Sequence, residues 1–222
     1  MNVNRSRFIA PRLGGLAERA ALHIRRKIFY DFMDITKSQS DLKVLDIGVT
    51  SDESSDSNFF EKFYPHPKNI TAVGLEDASF LEHRYPGLVF VKADACALPF
   101  EDQSFDIAFC SAVIEHVGDS IRQRKLIDEA LRVATVALIT TPNRWFPLEF
   151  HTLTPFLHWL PPAIFRGFLF FTGRKFFAQQ SNLNLLGGRD LDDLCASSGL
   201  QYKKYNQRLL GLVSNLVYLV YR

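Results

Sequence analysis

Apolar residues between positions 13 and 35 recur at helical spacing (Leu13, Leu16, Ala20, Ile24, Ile28, Phe32, Ile35), so one face of the stretch can pack on a core. This predicts a leading amphipathic helix within residues 1–40, ended by the polar run 37–41. Short, dense apolar runs follow at 42–48, 70–76, 88–92, 105–110 and 136–140, the pattern of strands buried on both faces. Residues 120–133 lie between the last two. There Leu126, Ile127, Ala130 and Leu131 make an apolar stripe, and Ser120 with Gln123 reads as a capping box, which predicts a crossover helix. Strands alternating with helical material imply a mostly parallel sheet in an α/β sandwich.

Near the end of the sequence, 189–198 carries Leu191, Leu194 and Cys195 on one side and stops at Gly199, a residue suited to a left-handed helix end. The runs 200–206 and 216–221 then read as a closing antiparallel pair. The alternation is interrupted at 145–185 by an aromatic-rich insert or lid that includes Phe156, Trp159, Phe168, Phe170 and Phe171. Without internal repeats or a low-complexity linker, residues 1–222 are expected to form a single domain.

Composition narrows the function classes. Hydrophobic residues at 47% and charged residues at 23% belong to a compact globular chain. The balance of 26 basic and 24 acidic side chains gives a net charge of +2, too even for nucleic-acid binding to be expected. The most apolar stretch, 165–177, is broken by Arg166, Gly167, Gly173, Arg174 and Lys175, well short of the ~20 apolar residues of a membrane span. Arg5, Arg7 and Arg12 are not followed by the apolar run of a secretory signal, so none is expected. Cys96, Cys110 and Cys195 are odd in number and lack C-x-x-C or Cys/His spacing, so neither a disulfide framework nor a metal centre is expected, and a cytoplasmic setting fits.

Ligands of open α/β sheets bind outside the carboxyl ends of the strands, where the strand order reverses. Those ends carry Asp46-Ile47-Gly48, then Glu76, then Asp94-Ala95, then Ser111. A pyrophosphate would need a glycine-rich loop, as in a nicotinamide-dependent oxidoreductase. The loop here is Val49-Thr50-Ser51-Asp52-Glu53-Ser54-Ser55-Asp56, whose carboxylates repel phosphate. A cationic, phosphate-free ligand suits it, and S-adenosylmethionine has that character. Glu76 can take the ribose hydroxyls, Asp94 the adenine amino group with Ala95 and Leu75 as walls, and Asp46 the methionine ammonium.

The run Leu98-Pro99-Phe100-Glu101-Asp102-Gln103-Ser104-Phe105-Asp106, continued by Ile114-Glu115-His116-Val117, resembles the class I S-adenosylmethionine-dependent methyltransferases over residues 42–117. The resemblance implies a Rossmann-like seven-stranded sheet of order 3-2-1-4-5-7-6 with an antiparallel seventh strand. It also implies that His116 faces the methyl group of the cofactor as a general base. His151, after the fifth strand, is a second candidate base in a polar and aromatic stretch typical of a pocket wall. The family's first loop reads Asp-x-Gly-x-Gly-x-Gly, whereas Thr50 and Asp52 occupy the second and third glycine positions here and only Gly48 remains. Two readings follow: a methyltransferase acting by in-line displacement on a small, hydrophobic or lipid-linked acceptor, or a methyltransferase-like binding or scaffold protein. The aromatic segment is expected to cover an apolar acceptor or to touch a membrane surface with its cations on anionic lipid.

Overall fold

The computed structural model describes residues 16–37, 39–53 and 57–222. Leu13, Arg5, Arg7 and Arg12, and Ser54, Ser55 and Asp56 of the acidic loop, lie outside the described residues. The leading helix is α1 (Leu16–Ile35). The five apolar runs become β1 (Val44–Ile47), β2 (Ile70–Gly74), β3 (Val89–Lys92), β4 (Phe105–Ser111) and β5 (Ala134–Pro142). Two five-residue helices, α2 (Phe59–Phe63) and α3 (Phe80–Arg84), connect the early strands, and α4 (Ser120–Val133) crosses from β4 to β5. The aromatic insert contributes β6 (Leu148–Glu149), β7 (Thr154–Pro155) and α5 (Pro162–Phe171). Then follow α6 (Gly188–Ser197), β8 (Gln201–Lys204), β9 (Gln207–Leu209) and β10 (Leu212–Tyr221).

The main sheet runs β3-β2-β1-β4-β5-β10-β8, which is the expected order 3-2-1-4-5-7-6. β1 to β5 are parallel, and β10 is antiparallel to both β5 and β8. β9 adds an eighth strand by pairing with the start of β10. The α4 cap also differs from the expected box: Asp119 is the N-cap, and its carboxylate accepts from the Arg122 N–H at 3.0 Å. A carboxylate there satisfies a free N–H and favours the positive end of the helix dipole. Gln123 instead turns inward, where its Nε2 donates to the Asn184 carbonyl. At the end of α6, Gly199 takes the left-handed conformation expected of it (φ +66°).

Successive strand side chains face opposite sides of the sheet. Leu45 and Ile47 of β1 therefore join α4 and α6 in one apolar layer, while Val44 joins α1, α2 and α3 in the other. Asp46, alternating with its neighbours, falls on the α1/α2 side. That second layer is unusually aromatic: Phe60 stacks on Phe109 with centroids 4.5 Å apart, and Phe32 meets Phe60 edge-on at 4.9 Å. The insert leaves and rejoins the domain at one place, where Asn143 bridges Leu186 and the Arg144 N–H donates to the Leu186 carbonyl.

Candidate active site

The strand order reverses between β1 and β4, and the carboxyl ends of these strands border a cavity of about 1190 Å³. Gly48, Glu76, Asp94, Ala95 and Ser111 all line it, as do His116 and His151. One face of α1, including Ala21, Arg25 and Ile28, supplies another wall. The volume exceeds the roughly 300–1,000 Å³ common for one drug-sized ligand, leaving room for two small molecules side by side.

Asp46 is placed elsewhere. It does not line the cavity; it is buried against Glu61 of α2, which is buried as well. Burial and the Glu61 charge raise its pKa well above the ordinary value, and burial raises that of Glu61 too.

The first loop keeps its shape by side-chain bonds where glycines are missing. Asn58 accepts from the Thr50 N–H at 2.9 Å and donates to the Thr50 and Asp52 carbonyls, and Ser57 Oγ donates to Asp52. Gly48 cannot be replaced in the same way. Its φ is +104°, and a Cβ there would come within 2.0 Å of Val113 Cγ2. From this loop Ser51 Oγ donates across to Glu76 at 2.6 Å. Asp94 accepts from the Cys96 N–H at 2.9 Å and from Arg122 at 2.8 Å. Burial by itself would raise its pKa, but the Cys96 N–H and the Arg122 guanidinium outweigh this and leave it below the ordinary carboxylate value. Ser111 shares a hydrogen bond with Thr140 across β4 and β5.

A second polar cluster lies on the other side of the cavity. His116, at the end of the 3-10 turn Ile114–His116, and His151, just after β6, bring their Nε2 atoms to 3.1 Å. His116 Nδ1 bonds the Asn182 carbonyl at 2.7 Å, and His151 Nδ1 bonds Glu149 at 2.7 Å. Glu149 also accepts from the His151 and Thr152 N–H groups and from Thr152 Oγ1. Burial would raise the Glu149 pKa, yet the His151 charge and these donors bring it down to about 2. His151 is correspondingly raised: Glu149 overcomes its burial. Burial and the adjacent His151 charge push His116 down to about 3. Glu115, fully buried, accepts from Thr141 Oγ1 at 2.9 Å, and burial raises its pKa. The Asn184 N–H donates to the Glu115 carbonyl and Asn184 Nδ2 to that of Gly118, so the end of the insert is stitched to the turn carrying His116.

Glu115 and Asn182 carry no sequence signal for this cluster, and Glu149 falls in the polar and aromatic stretch before His151 that reads as a pocket wall able to orient an acceptor. The Glu149-x-His151 spacing was the available signal, since a carboxylate two residues before a histidine can bond its ring.

Comparison with known proteins bears on the fold. A methyltransferase from Methanosarcina mazei described as S-adenosylmethionine-dependent superposes with a TM-score of 0.51 at 18% identity, covering 84% of this chain and 94% of its own. Magnesium protoporphyrin IX methyltransferase from Synechocystis PCC 6803, solved with bound S-adenosylhomocysteine, gives 0.56 at 10% identity, covering 97% and 92%. The fold is a methyltransferase fold. Residues 45–136 match the family described as a methyltransferase domain. Phthiotriol/phenolphthiotriol dimycocerosates methyltransferase of Mycobacterium tuberculosis (strain ATCC 25177 / H37Ra) is 33% identical over 86 residues. That match takes in 37% of this chain and 28% of the relative's length.

Within this fold, the cavity edge from Gly48 to Glu76 and Asp94 offers carboxylates and an apolar wall, the acceptor set a cationic nucleoside requires. The run 98–106 is a scaffold feature. Arg132 binds the Leu98 and Phe100 carbonyls, Asp102 and Glu129, while Glu129 accepts from the Leu98 N–H.

Proposed function

We propose that this chain binds S-adenosylmethionine and transfers its methyl group to a small, hydrophobic or lipid-linked acceptor. The observation that carries this reading is the convergence of Gly48, Glu76, Asp94, Ala95 and Ser111 on one cavity that also holds the His116–His151 pair. Glu76 is the ribose acceptor, Asp94 takes the adenine amino group, and Asn58 keeps the first loop open to the ligand in place of two glycines. The cofactor supplies an electrophilic methyl on a sulfonium, so the protein has to align the acceptor and exclude water, effects worth up to ~7–11 kcal/mol.

His116 and His151 are the acceptor-activating groups. Their ring nitrogens are engaged with each other, with Asn182 and with Glu149, so activation proceeds through the pair and its carboxylates. The apolar character of the acceptor is supported by the aromatic insert, whose ends contribute Phe150 and Asn182 to the cavity. The mycobacterial relative, by its name a methyltransferase of a lipid, points the same way.

Isothermal calorimetry with S-adenosylhomocysteine tests the reading. One saturable site is expected, weakened by about 1.5–3 kcal/mol in Glu76→Ala through loss of charged hydrogen bonds. Absence of binding for both the product and S-adenosylmethionine would leave the scaffold reading in its place. The acceptor is then sought by incubating the protein with extracted lipids and small metabolites and looking for a cofactor-dependent mass gain of one methylene.

A further inference from the structure

Both rings of the histidine pair use Nδ1 on an atom that has no hydrogen to give: the Asn182 carbonyl for His116 and the Glu149 carboxylate for His151. Each Nδ1 therefore carries a proton, and when both rings are neutral each Nε2 presents a lone pair. Those two lone pairs face one another at 3.1 Å. Such an approach requires something positive between or beside them. The third group at this place is Glu115. It is wholly buried, its Oε2 is satisfied by Thr141, and its Oε1 has no hydrogen-bond partner. Donor atoms of Glu115, His116 and His151 lie within 4.8 Å of one another.

We propose that Glu115, His116 and His151 bind a divalent transition-metal cation beside the cavity, with an open coordination position turned toward the acceptor. Two imidazole nitrogens 3.1 Å apart, each about 2.05 Å from a cation, subtend about 98° at the metal, between the octahedral and tetrahedral angles. Two imidazoles and a carboxylate suit Zn²⁺, Mn²⁺ or Fe²⁺. A proton shared by the rings would relieve the lone pairs but leave Glu115 Oε1 unanswered; a cation answers all three. The outer shell is already built: Glu149, the Asn182 carbonyl and Thr141 orient the ligands as carboxylates and carbonyls do around histidine metal sites. The sequence carries no sign of this site because its histidines are 35 residues apart.

Resting on the methyl-transfer reading, the cation also defines the acceptor: a hydroxyl-bearing molecule whose oxygen takes the open position. Metal binding releases the hydroxyl proton to water, the oxygen forms its bond to the methyl carbon, and the carbon–sulfur bond breaks with its electron pair staying on sulfur.

The test is metal stoichiometry. The purified 222-residue chain is stripped with chelator, equilibrated with Zn²⁺ or Mn²⁺, freed of excess and analysed by mass spectrometry, while S-adenosylhomocysteine binding is followed separately. One equivalent per chain is expected, lost in His151→Ala and in Glu115→Gln. Glu149→Gln should weaken binding by about 10–100-fold, as outer-shell changes do. Because a buried histidine variant can fail to fold, Co²⁺ is also added to the unmodified protein, where nitrogen ligation should give ligand-field bands in the visible spectrum. Less than stoichiometric metal together with no Co²⁺ bands, or metal retained by folded variants, overturns the site. Cofactor binding that persists in that case leaves the methyl-transfer reading standing.

Discussion

Asp46 alternates with Ile47 of the cavity wall and is buried against Glu61 of α2, and its setting imposes a pH dependence on the fold. Burial and the Glu61 charge raise its pKa, so the folded state holds that proton more tightly than the unfolded chain does. The sign follows: the stabilising contribution is complete below the ordinary value of 3.8 and is lost as pH rises through the raised folded value. Asp46→Asn keeps the shape and removes the ionisation. Urea unfolding across the acid-to-neutral range should find the variant gaining on the parent as pH rises; parallel curves would show that Asp46 ionises in place at no cost. The same alternation that turns Asp46 away was readable in sequence, since Leu45 and Ile47 are its apolar neighbours on a strand.

At the scale of elements, the turn before β4 depends on α4. Arg132 reaches two carbonyls and two carboxylates, so Arg132→Ala should cost about 1.5–3 kcal/mol, seen as a lower denaturant midpoint. Arg132→Lys should recover little, because a point charge cannot span the same forked set. Elements with strong local patterns were legible from sequence. The buried strands are continuous apolar runs, and α1, α4 and α6 show their stripes. β5 runs longer than its apolar core because pairing with β10 from Val136 to Asn215's partner Pro142 holds residues of weaker pattern in line. α2 and α3 are five residues each, too short for a helical period to register. β9 is polar at Gln207 and Arg208 and is fixed by its neighbour β10. In the site, the strand-end carboxylates could be read from position in the sheet, whereas the contact between His116 and Asn182 joins residues 66 apart and has no local signature.

For the molecule as a whole, the aromatic insert presents two different surfaces. Its ends reach the cavity, while α5 buries Phe165 and Leu169 and turns Phe170 (52% exposed) and Phe171 (88%) outward, beside exposed Arg174 and Lys175. No helix among the described residues is long and apolar enough to cross a membrane. Aromatics rimmed by cations suit the headgroup region of an anionic bilayer, a contact that would bring a lipid acceptor to the cavity. The double change Phe170→Ser, Phe171→Ser should reduce co-sedimentation with vesicles containing phosphatidylglycerol and leave S-adenosylhomocysteine affinity unaltered. Equal sedimentation of parent and variant would remove α5 from the membrane.

The bridge between Asn143 and Leu186 gives this insert a common doorway. Chain leaving the sheet there returns to the same point, so lengthening, shortening or replacing what lies between does not alter strand register or the carboxylates at the strand ends. The strand-end carboxylates are thereby separable from the insert, whereas His151, Glu149 and Asn182 travel with it: a chimera that swaps the insert should keep S-adenosylhomocysteine binding and lose the histidine pair, which calorimetry on the chimera checks.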